Sequence, residues 1–185
     1  MCGIAGVVQS GRALADPSDR LRKSLISLSH RGPDGRGEMT WESAWGCRVD
    51  MGMTRLAVLD LSPSGQQPMT TPDGRFTVVF NGEITNFVEL RSELQGEGVT
   101  FHSSGDTEVL LRAWEHWGAR CRHRLDGMYA FAVLDRHEAT LTLVRDPFGI
   151  KPLYIAQPNP GCLAFGSEVR GLLPFFSSAP RLDWH

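Results

Sequence analysis

The run from Gly127 to Asp135, GMYAFAVLD, is apolar on both of its alternating faces, and this feature most limits how the sequence can fold. A polar turn at 136–138 separates it from a second apolar run, Leu141 to Arg145, so the two segments are predicted to pair as a β-hairpin. A strand that is apolar on both faces has to be covered on both sides. The sheet that contains it is therefore expected to lie inside a layered structure.

Three segments have the periodicity of amphipathic helices that would cover such a sheet. They are predicted at Pro17 to about Ser29, at Asn86 to Gly96 or Gly98, and at Asp106 to Gly118. Asn86 followed by Glu89 has the spacing of a capping box, and Asp106 is interpreted as the cap of its own helix. Buried strands with helices to cover them predict an α+β sandwich, in which the periodicity does not determine the strand order.

Other segments combine strand and loop patterns. Cys47 to Leu59 is predicted to be a strand pair or one long bent strand, and Phe76 to Phe80 a short strand that stops at Asn81-Gly82. The segment from His30 to Gly37, HRGPDGRG, is rich in glycine and predicts an ordered loop that turns sharply. The predicted elements near the end of the chain are a strand at Cys162 to Phe165 and a short helix at Glu168 to Leu173.

The composition limits the class of protein. With 185 residues, of which 41% are hydrophobic and 22% charged, the chain is predicted to form one domain spanning residues 1–185. Its 19 basic and 21 acidic residues nearly cancel, and no run of Lys or Arg is dense enough to follow a nucleic-acid backbone. The first apolar stretch, Ile4 to Val8, is too short for a signal peptide or a membrane span. We therefore expect a cytoplasmic protein with neither nucleic acid nor a membrane as a partner.

Cys2 follows the initiator Met1 directly, so removal of Met1 would leave a first residue with both a thiol and a free α-amine. A thiol and an α-amine have reference pKa values of about 8.5 and about 7.7 to 8.0, close enough for a proton to pass between them. The alternative is that Cys2 is simply a small residue at the start of a buried strand. The other cysteines, Cys47, Cys121 and Cys162, lack metal-site or redox spacing and are expected to be buried free thiols. No metal site is expected.

Two further features suit the attack of a thiolate on an amide. The side-chain amide of Asn81 and the backbone N–H of Gly82 could donate to the carbonyl oxygen as it gains negative charge. The guanidinium of Arg55 could bind a carboxylate through two hydrogen bonds, and Asp106 could accept from an ammonium, so that together they would select a free α-amino acid. Taken singly, Asn81-Gly82 also fits a turn and Asp106 a helix cap.

A set of motifs in a fixed order carries a family resemblance. The motifs are MCGIAGVV at 1–8, HRGPDG at 30–35, TRLAVLDL at 54–61, NGEI at 81–84, SSGDTEVLL at 103–111, RLDGMYAFAVLD at 124–135 and RDPFGIKPLY at 145–154. The chain resembles the class II glutamine amidotransferase domain, in the form found at the N-terminus of glutamine-dependent asparagine synthetases. The resemblance covers nearly the whole sequence.

This resemblance implies an N-terminal nucleophile hydrolase fold, which is a four-layer αββα sandwich. It also implies that Cys2, after loss of Met1, forms a glutamyl thioester, with its own α-amine as the base. The remaining roles implied by the resemblance are an oxyanion hole at Asn81 and Gly82, a site for the glutamine α-carboxylate at Arg55, a site for the α-amino group at Asp106 and Glu83, and a pocket wall from Leu56 to Leu59.

The resemblance further implies two partners: L-glutamine, and a synthetase domain or subunit that uses the released ammonia to amidate aspartate. ATP and magnesium are expected only on that synthetase domain, which is expected to be absent from this chain because no SGGxDS, GxxxxGK[ST] or GxGxxG motif occurs. No cofactor is expected for this domain itself. The alternatives are a non-catalytic glutamine-sensing or docking module, an ammonia donor for a different acceptor, and an amide hydrolase with another substrate.

Overall fold

A computed structural model describes residues 1–11, 13–178 and 180. The strands are β1 (Gly3–Ser10), β2 (Gly35–Glu42), β3 (Cys47–Arg55), β4 (Met69–Thr70), β5 (Phe76–Ile84), β6 (Gly127–Asp135), β7 (Thr140–Arg145), β8 (Tyr154–Ala156) and β9 (Cys162–Gly166). The α-helices are α1 (Pro17–Ser27), α2 (Phe87–Gly96), α3 (Asp106–Trp117) and α4 (Val169–Leu172). Short 3₁₀ turns lie at Ser29–Arg31, Pro63–Gly65, Gly118–His123 and Leu173–Phe175.

The strands form two antiparallel sheets, with the orders β2-β3-β1-β9-β8 and β4-β5-β6-β7. Helix α1 packs on the outer face of the first sheet, and α2 and α3 pack on the outer face of the second. The two inner faces meet in an apolar inter-sheet layer made of Ile4, Val49, Met51, Met53, Val79, Ala130, Ala132, Leu134 and Phe165. The order helix, sheet, sheet, helix confirms the predicted four-layer αββα sandwich.

Strand β6 shows why the two-sided apolar pattern was informative. Its odd-numbered residues, such as Phe131 and Val133, pack against α2 and α3, whereas Ala132 and Leu134 lie in the inter-sheet layer. The predicted hairpin with β7 is confirmed by antiparallel pairing of Ala130 with Arg145. Small residues on the inner face and larger ones on the outer face allow the sheets to approach closely.

Several predicted boundaries were wrong. The strand predicted from Cys47 to Leu59 ends at Arg55, and the chain beyond it forms irregular loop structure. Strand β5 does not stop at Asn81-Gly82 but continues to Ile84. The strand β2, part of which was predicted as loop, alternates between half-buried and exposed residues along its whole length. Because it contains glycines and polar residues, its sequence lacks the usual strand pattern. It nevertheless pairs with β3 and forms one edge of the first sheet.

The two predicted side-chain caps were also wrong. Asn86 is the N-cap residue of α2, as predicted, but its side chain donates to the Arg124 carbonyl and accepts from the Asp126 N–H instead of forming the capping bond. The N-cap of α3 is Gly105, so Asp106 is the first helical residue. Its carboxylate is consequently free to bind outside the helix. In the described part of the chain, no helix is both long and apolar enough to cross a membrane.

Candidate functional site

One cavity of about 170 Å³ lies where the inter-sheet layer ends, between the start of β1, the end of β5 and the start of α3. Every site residue predicted from the sequence contributes to its wall: Cys2, Arg55, Leu56, Leu59, Asn81, Gly82, Glu83 and Asp106. These residues come from segments far apart in the chain, so the fold is what brings them together. The elements of both sheets are needed to form this cavity.

The thiol of Cys2 is fixed against the first residue of the loop after β3. The Leu56 N–H donates to Cys2 Sγ at 3.4 Å, and the Leu56 carbonyl oxygen lies 3.6 Å from the same sulfur. Arg31, from the HRGPDG motif, donates from Nε to the Cys2 carbonyl at 2.9 Å and forms an ion pair with Glu168 at 2.8 Å. Arg31 was not predicted as a site residue, although its motif was singled out. It anchors the chain terminus beside the cavity.

The outer edge of β5 directs backbone N–H groups toward the cavity. In the β5–β6 register Asn81 pairs with Ala130, and the alternate residues of β5 point their N–H groups away from β6. Accordingly, the Phe80 N–H donates to Gln67 Oε1 at 2.6 Å, and the Ile84 N–H donates to Asp106 Oδ2 at 3.0 Å. The N–H of Gly82 lies between them on the same edge, facing the cavity.

Gly82 has a packing reason to be glycine. A Cβ atom at this position would overlap the Met128 carbonyl oxygen and the Tyr129 Cα of the neighbouring strand β6. A larger residue would therefore push β5 away from β6 and misplace the N–H group. The close approach of the two strands requires glycine here.

Asn81 is the least satisfied polar residue of the cavity wall. Its side chain is 1% exposed, and its Nδ2 has no hydrogen-bond partner. A buried donor without a partner destabilises the folded state by roughly 1–3 kcal/mol and calls for an explanation. A ligand oxygen bound in the cavity would supply the missing acceptor.

Asp106 and Glu83 make one side of the cavity acidic. Burial raises the pKa of Asp106; the bond from the Ile84 N–H opposes this effect, and the negative charge of Glu83 adds to it. Glu83 itself is exposed at the mouth. Two carboxylates on the same wall would favour a bound cation over an anion.

Arg55 lies at the end of β3 and orders the loop that follows it. Its Nη1 donates to the Ser62 carbonyl at 3.0 Å, and its Nη2 donates to the Asp60 carbonyl. Among the described residues no carboxylate forms an ion pair with this guanidinium, which leaves its charge available to an anionic ligand. The pKa of the Asp60 carboxyl is lowered by hydrogen bonds from Ser62 and Ser104, which join this loop to the segment before α3.

Lys151 is a further cavity residue that the sequence analysis did not assign, although it belongs to the RDPFGIKPLY motif. It is 7% exposed, and its Nζ lies 3.2 Å from the sulfur of Met1, which also lines the cavity. Gln67, the acceptor for the Phe80 N–H, also contributes to the wall. Neither residue could be assigned from residue type alone.

The other thiols lie outside this cavity wall. Cys47, Cys121 and Cys162 are free, and the last two are buried, as predicted; Cys47 is only half-buried. Burial raises the pKa of Cys121 to about 12, so this thiol is unreactive at neutral pH. Within the described residues no group of three or more His, Cys, Asp or Glu side chains has the geometry to hold a metal ion.

Comparisons with known proteins agree with the predicted family. Residues 1–185 match the family model of a glutamine amidotransferase domain. The chain is 37% identical to asparagine synthetase [glutamine-hydrolyzing] 1 of Bacillus subtilis, over 94% of this chain and 27% of that protein. It is 40% identical to a putative asparagine synthetase [glutamine-hydrolyzing] of Mycobacterium bovis, over 94% of this chain and 28% of that protein. The chain thus spans less than a third of the length of these relatives.

A solved structure supports the fold independently. Glutamine phosphoribosylpyrophosphate amidotransferase from B. subtilis superposes with a TM-score of 0.74 at 20% sequence identity. The match covers 92% of this chain and 43% of that chain. At this level of identity the likeness concerns the fold alone, and it confirms the fold class predicted from the sequence.

Proposed function

Because the chain belongs to the glutamine amidotransferase domain family, we propose that it hydrolyses L-glutamine to glutamate and ammonia at Cys2. One observation carries the proposal: the buried, unpartnered Nδ2 of Asn81 lies in the wall of the same cavity as the Cys2 thiol. A donor placed in this way is typical of a site that stabilises an oxyanion.

The charges of the cavity suit the head group of a free amino acid. In this proposal the Arg55 guanidinium binds the α-carboxylate of glutamine, and Asp106 and Glu83 bind its α-ammonium. The backbone of Leu56 to Leu59 lines the same space. A substrate without the amino acid head would leave the Arg55 and Asp106 charges unpaired, which disfavours its binding.

The proposed chemistry begins after Met1 is removed. The α-amine of Cys2 takes the thiol proton, and Sγ attacks the carboxamide carbon of glutamine to give a tetrahedral oxyanion. The C–N bond then breaks, and the α-ammonium returns the proton to the nitrogen, which leaves as ammonia. Water attacks the thioester carbonyl while the α-amine accepts one of its protons. Sγ then leaves with its bonding electron pair and takes that proton from the α-ammonium, so that glutamate is released and both the thiol and the neutral α-amine are restored.

Two donors would stabilise both tetrahedral oxyanions. Asn81 Nδ2 is already buried without an acceptor, and the Gly82 N–H faces the cavity from the outer edge of β5. Because both groups are held by the strand before the substrate arrives, they need no reorganisation during the reaction. Removing one such donor typically costs about 10²–10³ in kcat.

The acceptor of the ammonia is inferred from the names of the relatives. Both are asparagine synthetases described as glutamine-hydrolysing, and the chain spans 27% and 28% of their lengths. We therefore propose that the ammonia serves the amidation of aspartate on a synthetase domain or subunit, where ATP and magnesium would also bind. Glutamine labelled with ¹⁵N in its amide, supplied with such a partner, would transfer the label to asparagine; transfer to another acceptor would contradict the assignment.

A second candidate is a non-catalytic glutamine-binding or docking module. The observation that favours it is the position of Met1, whose side chain lies in the cavity beside Lys151. A retained Met1 would leave the α-amine on the wrong residue for catalysis. The state of the mature N-terminus therefore separates the two candidates.

The decisive experiment combines intact mass with labelling by 6-diazo-5-oxo-norleucine, a glutamine analogue that alkylates nucleophiles of this kind. We expect loss of Met1 and one adduct, located on Cys2 by peptide mapping and prevented by excess glutamine. Cys2→Ala should lose both the adduct and the glutaminase activity. Cys47→Ser, which removes a half-buried thiol outside the cavity, is the matched control and should retain both. A retained Met1, or no adduct at saturating reagent, would contradict the proposal.

A further inference from the structure

Lys151 places a positive charge in the cavity wall, and its ammonium is not in contact with any of the carboxylates of the described residues. It is 7% exposed, and its ammonium contacts the Met1 sulfur, which is a weak acceptor. In the described part of the chain it forms no ion pair with a carboxylate. Lys23, the other lysine of the sequence, is exposed and pairs with Asp19 at 2.8 Å. A buried ammonium with so poor a partner is costly and needs an explanation.

The backbone fixes Lys151 firmly. The carboxylate of Asp146 accepts hydrogen bonds from the N–H groups of Tyr129 at 3.2 Å, Phe148 at 3.1 Å, Ile150 at 2.9 Å and Lys151 at 2.9 Å. Burial opposes ionisation of Asp146, but these hydrogen bonds outweigh it and lower the pKa of the carboxyl. The loop that carries Lys151 is thus tied to strand β6. The backbone of Lys151 is therefore fixed, and its side chain is buried in the cavity wall.

We propose that Lys151 keeps the α-amine of mature Cys2 in its neutral, proton-accepting form by placing a fixed positive charge beside it. The Lys151 ammonium contacts the Met1 sulfur and lines the same cavity as Cys2, so one methionine side chain separates it from the Cys2 nitrogen, which becomes the α-amine when Met1 is removed. Two ammonium groups in one cavity repel each other. The repulsion favours loss of the proton from the α-ammonium, because an α-amine has a lower reference pKa than a lysine side chain. An ordinary α-amine, with a pKa of about 7.7–8.0, would be mostly protonated at pH 7 and a poor base.

Other charged groups also line or adjoin this cavity, and most of them have partners within the protein. Arg31 binds Glu168 and the Cys2 carbonyl, and Arg55 binds the carbonyls of its own loop. The carboxylates of Asp60 and Asp106 accept from backbone N–H groups. Glu83 is exposed at the mouth and would act in the opposite direction, favouring a protonated amine. Arg31 also contacts Cys2, but its charge is paired with that of Glu168, whereas the Lys151 ammonium contacts Met1, the residue whose removal creates the α-amine.

This inference rests on the proposed glutaminase function, since it assigns Lys151 as a positioning residue for the proposed base. The test uses the full chain after loss of Met1, confirmed by intact mass. Two quantities are followed from pH 5 to 10: kcat/KM for glutamine, which reports ionisations of the free enzyme, and the ¹⁵N chemical shift of the Cys2 α-nitrogen in protein labelled with [¹⁵N]cysteine, which reports protonation of the amine itself. The variants are Lys151→Met, Lys151→Gln, Lys151→Arg and, as the matched control, Lys23→Met.

Loss of the charge in Lys151→Met should raise the midpoint of the acid limb of kcat/KM, and the midpoint of the α-nitrogen titration, by about one pH unit. Activity at pH 7 then falls up to about tenfold and recovers above pH 9, since one pH unit is a tenfold change in the neutral fraction. Lys151→Arg keeps the charge and should keep the wild-type midpoint, as should Lys23→Met. Lys151→Gln also removes the charge and should show the same shift, and it replaces Lys151→Met as the test if that variant does not fold.

An equal loss of activity at every pH, with the midpoints unchanged, would show that Lys151 acts only in packing and would overturn the inference. A shifted titration of the α-nitrogen in a protein whose wild type releases no glutamate would support the effect on the α-amine while rejecting the glutaminase proposal. Failure of the inference about Lys151 is therefore distinguishable from failure of the proposed glutaminase function.

Discussion

Asn81 is a residue at which stability and the proposed activity oppose each other. Its Nδ2 is buried without an acceptor, so truncation removes an unsatisfied donor as well as part of the proposed oxyanion hole. We expect Asn81→Ala to lower kcat for glutamine hydrolysis by about 10²–10³, with a small change in KM. The melting temperature should stay the same or rise. Steady-state kinetics and calorimetry on the same preparation measure both effects.

The control for this variant is Thr85→Ala, since Thr85 is exposed immediately after β5 and donates to the Asp126 carbonyl outside the cavity. It should change kcat little. An Asn81→Ala protein that keeps its activity, or that loses it only because it unfolds, would show that the unpartnered amide has no role in the reaction.

At Asp106, too, stability and the proposed activity oppose each other, in this case through the charge of the carboxylate. Burial raises its pKa, so the ionised form is disfavoured in the folded protein. The stability that Asp106 contributes is complete below the pKa of an unfolded Asp, about 3.9, and is lost as the pH rises through the higher folded pKa. Asp106→Asn removes the charge and retains an acceptor for the Ile84 N–H. We expect its free energy of unfolding to exceed that of the wild type at pH 7 and to match it at acid pH.

The same variant should bind glutamine poorly. An ammonium bound by Asp106 needs the ionised carboxylate, so KM of the wild type should rise as the pH falls through the raised pKa of Asp106. In Asp106→Asn we expect KM to increase about tenfold to a hundredfold and to lose this pH dependence. Denaturant unfolding and initial rates across the pH range test the two effects together. A variant that is less stable at pH 7 but binds glutamine normally would contradict the assignment.

At the scale of elements, the segment after β3 is positioned by the HRGPDG loop. The Asp34 N–H donates to the Arg55 carbonyl at 2.9 Å, and the Ala57 N–H donates to Asp34 Oδ2 at 2.9 Å. Gly32 lies so close to β3 that a Cβ atom would overlap the Thr54 carbonyl. Gly32→Ala should therefore push the loop off β3, reduce the free energy of unfolding by about 1–3 kcal/mol and raise KM for glutamine.

Gly96, the last residue of α2, is the matched control. A Cβ atom there would meet nothing within 4 Å, so Gly96→Ala should gain helix propensity of about 0.5–1 kcal/mol without affecting glutamine hydrolysis. Chemical denaturation and glutaminase rates of both variants make the comparison. If Gly32→Ala and Gly96→Ala had the same effect on stability and on glutamine hydrolysis, the close packing of the HRGPDG loop on β3 would not be what positions the cavity wall from Leu56 to Leu59.

Sequence patterns predicted those elements whose burial is strongly periodic. Strand β6 is apolar on both faces, and the stripes on α1 and α3 are continuous, so their burial was readable from spacing alone. Strand β2 was missed because every second residue is only half-buried. The extension of β5 past Gly82 was missed because Asn81-Gly82 has the sequence of a turn, whereas this part of the strand is held by pairing with β6 and by the bond from the Ile84 N–H to Asp106, 22 residues away in sequence. Such partners are set by tertiary structure.

Most residues of the candidate site were predicted from the sequence, but Lys151 was not. Residue types and the family resemblance placed Cys2, Asn81 and Asp106 in one site, and the cavity contains them all. Spacing did not reveal Lys151, because a lysine in a strand-and-turn segment is ordinarily exposed. Its burial depends on the four backbone bonds of Asp146, which no sequence pattern specifies.

For the whole molecule, the inter-sheet layer connects the site with the fold. Cys2 packs against this layer, and Ile4, two residues further on, lies inside it with no exposed surface. One sheet supplies the nucleophile through β1, and the other supplies Asn81 and Gly82 through β5. The distance between the thiol and the proposed oxyanion hole therefore depends on how closely the two sheets pack.

This dependence predicts that a defect between the sheets weakens both stability and catalysis. Ile4→Ala should reduce the free energy of unfolding by about 2–5 kcal/mol and lower kcat, since the layer beside Cys2 loses contacts. Ile26→Ala on the exposed side of α1, where the side chain is 61% exposed, should change stability by less than about 0.5 kcal/mol and leave kcat unchanged. Far-ultraviolet circular dichroism, tryptophan fluorescence and loss of Cys2 labelling should follow one unfolding transition in both variants. Separate transitions, with labelling lost while the sheets persist, would mean that the site is held locally and not by the packing of one sheet on the other.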